Sequence, residues 1–126
     1  MIIEKGNILI AEFMGYTYGK VSGWVHGSRK GVYKKDEQNN LIEFHLEEQI
    51  KYHLSWSWLM PVVEKIESIG FCTRFDFNID NGQTIYFWDH PDDNAIIHYN
   101  EISLDKITAV WNSIIKFIQW YNQNKK

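Results

Sequence analysis

Cysteine is nearly absent from this 126-residue chain: Cys72 stands alone, which excludes an internal disulfide and any zinc site built on cysteine pairs. Long apolar runs are missing too, since no stretch approaches the eighteen or so residues that a membrane span needs. The N-terminal MIIEKGNILIAEF carries Glu4, Lys5, Gly6 and Asn7 inside its apolar run, so no signal peptide is readable and a cytoplasmic location is expected. Arginine is scarce, with Arg29 and Arg74 against eleven lysines. The catalytic signatures HExxH, the nucleophile elbow and the dinucleotide fingerprint are absent, so neither catalysis nor a cofactor is expected. Gly15–Gly19–Lys20 falls short of a phosphate-binding loop, because three residues separate the glycines and Val21 follows the lysine.

Rings, by contrast, are plentiful. Six Trp, seven Tyr and seven Phe make up 16% of the chain, and 44% of all residues are hydrophobic. A chain of this length buries roughly two-thirds of its unfolded surface, which is enough for one domain spanning 1–126. With so many rings in so small a domain, some are expected at the surface, where Trp and Tyr mark contacts.

The net charge of −3 is unevenly placed. Residues 16–35 carry Lys20, Arg29, Lys30, Lys34 and Lys35 with no acid, and residues 36–48 carry Asp36, Glu37, Glu43, Glu47 and Glu48 with no Lys or Arg. Two solvated strands that pair with each other would account for this. Glycines at 15, 19, 23, 27 and 31, among Thr, Val, Tyr and Trp, favour strands with turns and bulges over a helix.

Periodicity sketches the remaining elements. Asn7 is placed to cap a short helix, ILIAEFM, that Gly15 ends. DEQNN (36–40) reads as a turn, and the following strand alternates Ile42, Phe44 and Leu46 against Glu43, His45 and Glu47, with a break at Glu47-Glu48. FCTRFDFNIDNGQTIYFWDH reads as a hairpin turning at Asn81-Gly82, which would pair Phe77 with Tyr86 and Phe75 with Trp88. AIIHY (95–99) is a further strand. A helix capped by Ser57 would show the stripe Leu59, Val62, Val63, Ile66 and Ile69. In that helix Trp58 and Met60 close the stripe's edges, and Pro61 falls in or beside the first turn. A second helix, capped by Ser103, would show Ile107, Val110, Trp111, Ile114, Ile118 and Tyr121, leaving Trp120 on its polar side. Together these predict an α+β domain: an antiparallel sheet of about four to six strands, with two long helices and a short N-terminal one on one face.

The segments YHLSWSWLMPVVEKIESIGF, ILIAEFMGY and IIKFIQWYNQNK, about a third of the chain, resemble in the same order a group of short uncharacterised proteins from Bacteroidetes genomes and their phages. Relatives in that group carry Asp where this chain has Ser57, which favours a capping role there over a catalytic carboxylate. The resemblance implies a bacterial or phage provenance. With the surplus rings, it leads to the expectation of a small non-enzymatic binding protein acting on a host protein or ribonucleoprotein surface, an anti-CRISPR-like inhibitor being the sharpest version.

The expected partner-binding residues are Trp24, Arg29, Lys30, Tyr33, Lys34, Lys35 and Trp120. The alternative is a nucleic-acid-binding accessory protein, in which Tyr16, Tyr18, Trp24 and Tyr33 stack on bases while the interleaved cations meet phosphates. Overall acidity and few arginines weigh against it. Asp89, His90, Asp92 and Asp93 could hold a divalent ion, but their spacing matches no metal motif and suits an ordinary turn, so no metal is expected. His53, beside Ser55 and Ser57, has no triad geometry, and packing is the better reading of that segment.

Overall fold

The computed structural model describes residues 2–24, 27–78, 82–89, 95–101 and 105–124, with the backbone alone for 21–24, 27–28, 78, 89 and 95–101. Among the described residues, three α-helices and six strands form two three-stranded antiparallel sheets, so the α+β class holds. The strands do not join into the single sheet expected, because they divide between two compact units, residues 1–51 and 52–126. None of the three helices is long and apolar enough to cross a membrane.

In the first unit, helix α1 (Ile3–Phe13) leads into strands β1 (Thr17–Trp24), β2 (Gly27–Lys35) and β3 (Leu41–Leu46), in sheet order β1-β2-β3, followed by a single 3₁₀ turn at Glu47–Gln49. The helix begins four residues before Asn7, so Asn7 is no cap. It is 2% exposed, and its Nδ2 donates to the Ile50 carbonyl at 3.3 Å, supplying a buried acceptor with a partner. Glu4 stands in the first turn, where a carboxylate suits the helix dipole. The stop at Gly15 is as expected. With φ of 97°, Gly15 lets its own N–H reach Glu12 O and the Tyr16 N–H reach Ala11 O, a Schellman closure. Ile10 and Ala11 are fully buried as α1 packs on β1, β2 and the 3₁₀ turn.

The glycine-rich segment is strand, as its intervening residues predict. Gly31 sits where Gly19 and Leu46 flank it on neighbouring strands, and a Cβ added there would lie 2.2 Å from the His45 carbonyl oxygen. The 36–40 turn is held by Asp36, whose Oδ1 accepts the Gln38 and Asn40 N–H groups at 3.0 and 2.8 Å, while Asn39 takes φ of 68°. Between Lys34 and Lys35 the β2–β3 register slips: Lys34 faces Glu43 and Lys35 faces Leu41, leaving Ile42 as the extra residue of a bulge. Ile42 is 63% exposed rather than inward with Phe44 and Leu46, because the bulge breaks the alternation the sequence suggested.

In the second unit, helix α2 (Trp56–Ser68) precedes strands β4 (Phe71–Asn78), β5 (Gly82–Asp89) and β6 (Ala95–Glu101), and helix α3 (Lys106–Asn124) ends the described chain. The N-cap of α2 is Ser55, not Ser57. The helix starts at Trp56, and the Ser55 carbonyl accepts the Leu59 N–H at 3.0 Å. Pro61 is therefore the sixth helical residue, a position beyond the first turn, where it withholds one bond from the Ser57 carbonyl. Leu59, Val62, Val63 and Ile66 are buried as the stripe predicts, whereas Ile69 and Met60 are each 38% exposed. Tyr52 and Trp58 meet edge to face at 5.2 Å, and His53 meets Trp111 at 6.4 Å, so His53 packs against a ring.

The β4–β5 register departs from the expected hairpin. Asn78 faces Gly82, so pairing is displaced by three residues: Phe77 faces Gln83 and Phe75 faces Ile85, while Trp88 faces Cys72. An odd displacement exchanges faces. Ile85 and Phe87 thereby join Phe71 and Phe75 on one side and are fully buried, while Tyr86 and Trp88 fall on the other side and are half-buried. Residues 79–81 and 90–94, with His90, Asp92 and Asp93 among them, lie outside the described residues, as do Ser103, His26 and the side chains of Asp89 and His98.

Of the stripe expected on helix α3, Val110, Trp111, Ile114 and Ile118 are buried while Ile107 and Tyr121 are half-buried, and Ala109, Ile115 and Phe117 are buried as well. The described N-terminal bond is made by Asp105, whose Oδ1 accepts the Thr108 N–H at 2.9 Å. A hydrogen bond from the Thr108 side chain, and after it this one from the Thr108 N–H, hold the Asp105 carboxyl below its usual range. Their contribution is present above the carboxylate's unfolded pKa and is lost as pH falls through the lower folded value. Asp105→Ala should therefore cost about 1 kcal/mol at pH 7. The deficit relative to wild type should shrink as acid protonates the carboxyl, which urea melts at pH 7 and pH 3 would read.

A candidate partner-binding groove

Alternation puts Tyr18, Val32 and His45 side by side on one face of the first sheet, with Lys20, Lys30, Lys34 and Glu43 on the same face. Thr17, Tyr33 and Phe44 share the other face. The opposed charges of 16–35 and 36–48 meet as expected of pairing strands. Lys34 and Glu43 are cross-strand neighbours, and Arg29 Nη2 lies 3.4 Å from Glu48 Oε1. Both groups of that ion pair are exposed, so it contributes at most about 1 kcal/mol.

The tyrosines of this segment are tied to acids. The Tyr16 hydroxyl donates to the Glu43 carboxylate, and Tyr18 donates to Glu47. The Tyr16 bond, followed by that from His45 Nε2 at 2.6 Å, holds Glu43 below the usual carboxylate range. The Glu47 bond holds the Tyr18 phenol above its usual range. Carboxylates thus stand among the rings where a base-stacking surface would need cations alone.

At the far end of β2 the surface opens into a groove of about 480 Å³, lined by Gly15, Thr17, Tyr33, Lys34, Lys35, Asn39 and Ile42. The Lys34 ammonium rests 4.3 Å from the centre of the Tyr16 ring, with its Cε 3.9 Å from where a Gly15 Cβ would stand. Lys35 Nζ lies 5.6 Å from the centre of the Tyr33 ring. The groove therefore combines two cations, a ring, an amide and an exposed aliphatic side chain.

Of the residues expected to bind a partner, Tyr33, Lys34 and Lys35 come together here. Arg29 and Lys30 lie toward the other end of β2, Lys30 opposite Lys20. The Trp24 backbone pairs with Gly27, and its side chain lies outside the described residues. Trp120 belongs to the second unit and is not fully exposed: its ring meets Phe71 at 5.9 Å and Phe117 at 6.0 Å, so a strand aromatic covers part of it. Gly15, Thr17, Asn39 and Ile42 were missed as site residues. The Asn-rich turn was a signal for Asn39, whereas no pattern marks the bulge at Ile42.

No family model, no curated protein and no solved structure matches this chain.

Proposed function

We propose that this chain is a small non-enzymatic binding protein that acts by occupying the surface of a host protein or ribonucleoprotein. A phage or mobile element of Bacteroidetes is its proposed source, and anti-CRISPR-like inhibition is the sharpest form of the reading. The observation that carries the binding reading is the open groove, where Lys34, Lys35, Tyr33 and the outward Ile42 converge. The ring and the exposed aliphatic side chain suit a protein contact, and the two lysines suit a partner surface of opposite charge. The nucleic-acid reading ranks second, because Glu43 and Glu47 engage the tyrosines that would stack and Glu48 engages Arg29.

Affinity capture from a Bacteroidetes lysate, with and without nuclease and read by mass spectrometry, tests the proposal. A discrete protein partner that survives nuclease is expected. Capture that disappears with nuclease would replace this reading with nucleic-acid binding, and no partner in either arm would contradict both.

A further inference from the structure

The groove's charge balance says more about its occupant. Among the described residues neither Lys34 nor Lys35 forms a direct ion pair, although Lys34 faces Glu43 across the strands and its charge helps hold that carboxyl low, whereas Arg29 on the same strand is matched to Glu48. Two of the nearby acids hold other groups more closely. Asp36 directs its carboxylate to the Gln38 and Asn40 amides, and Glu43 accepts from Tyr16 and contacts His45. Two lysines thus line an open groove, Lys34 with Glu43 across the strand pair and Lys35 with no carboxylate bound to it among the described residues, and the β-bulge sets Ile42, 63% exposed, beside them. Bulges commonly re-aim a side chain next to a functional site.

We propose that the groove receives a short acidic segment of a partner protein, with its carboxylates on Lys34 and Lys35 and an apolar side chain against Ile42. This deepens the binding reading above and rests on it. The size fits: about 480 Å³ lies within the range of roughly 300–1,000 Å³ typical of ligand clefts, enough for a few side chains. A polynucleotide is the poorer occupant. The groove has no arginine, Lys35 already lies over the Tyr33 ring, and a net charge of −3 repels a long polyanion. A short acidic segment makes only the local contacts.

The test is fluorescence anisotropy of the full chain with a labelled ten-residue peptide alternating Glu and Leu, beside a Gln/Leu peptide and a ten-residue oligothymidylate. The Glu/Leu peptide should bind at least tenfold tighter than the Gln/Leu peptide, and its affinity should fall as salt rises. Lys34→Glu with Lys35→Glu should lose at least tenfold. Ile42→Asp, at an exposed position that leaves both lysines in place, should also weaken binding, with circular dichroism confirming that each variant folds. No binding of the Glu/Leu peptide, equal binding of the two peptides, tighter binding of the oligonucleotide, or full affinity in the folded lysine variant would each overturn the proposal. Lysate capture separates the two levels. A partner held equally by wild type and the lysine variant would overturn the acidic-segment groove while leaving the binding reading intact. No partner on wild type would remove the binding reading itself.

Discussion

Gly31→Ala should destabilise the chain by about 3 kcal/mol, an overpacking cost at the upper end of its usual range. The new Cβ would lie 2.2 Å from the His45 carbonyl oxygen, 3.0 Å from the carbonyl carbon and 3.1 Å from Leu46 Cα. All three are backbone atoms, so no rotamer change relieves the clash; β2 and β3 must separate at this point. Total stability is typically about 5–15 kcal/mol, so the loss would remove a large part of it. Gly19→Ala is the matched control. Its Cβ would meet nothing nearer than 3.7 Å, at the edge of the Tyr33 ring, and a change within about 1 kcal/mol is expected. Urea unfolding followed by circular dichroism should show a large drop in midpoint for the first variant and little change for the second. Equal midpoints would mean that Gly31 does not sit against β3 as described.

The other large effect belongs to Phe117. Fully buried on α3, its ring meets Phe71 and Phe87 at 5.0 Å each and Trp120 and Tyr121 at 6.0 Å each. This ring joins α3 to β4 and β5. Phe117→Ala should cost about 4 kcal/mol, from lost transfer energy and from a cavity that four neighbouring rings are too stiff to fill. Lys116→Ala, one residue away and exposed, should stay within about 0.5 kcal/mol. The near-ultraviolet circular dichroism of Phe117→Ala should also weaken, because Trp120 and Tyr121 lose their fixed neighbour. A fully retained signal and midpoint would contradict this core.

The helices were the most legible part of the sequence, because a stripe such as Val110–Ile114–Ile118 repeats over many turns and fits no strand. Their starts were less so. Ser57 and Asn7 are good capping residues, but Ser55 lies two residues before the first, and the second supplies a hydrogen bond to Ile50 O instead. The pairing of the basic with the acidic segment was legible from charge alone. The β4–β5 register was not. Both faces of β5 are apolar, through Ile85 and Phe87 on one side and Tyr86 and Trp88 on the other, so alternation did not choose between them. Gly82 does take a positive φ of 81°, yet it faces Asn78 as the first residue of β5 rather than closing a two-residue turn.

The candidate site divides along the same line. Tyr33, Lys34 and Lys35 were visible as a basic-aromatic run. Ile42 entered the groove only through a bulge that hydrophobic periodicity does not encode. The division of six strands into two sheets was equally hidden: each pairing joins consecutive strands, and a strand's own pattern does not say where a run of such pairings stops.

The most direct measurement is site-specific photocrosslinking, with a photoreactive phenylalanine analogue placed at Ile42 or, for comparison, at the exposed Gln119 of α3. Tagged chains would be irradiated in lysate after nuclease treatment. The predicted result is a discrete protein adduct from position 42, mapping to an Asp- or Glu-rich segment of the partner, and none from position 119. An adduct from position 119 alone would contradict the account, as would an adduct from position 42 that maps to a basic segment or vanishes with nuclease.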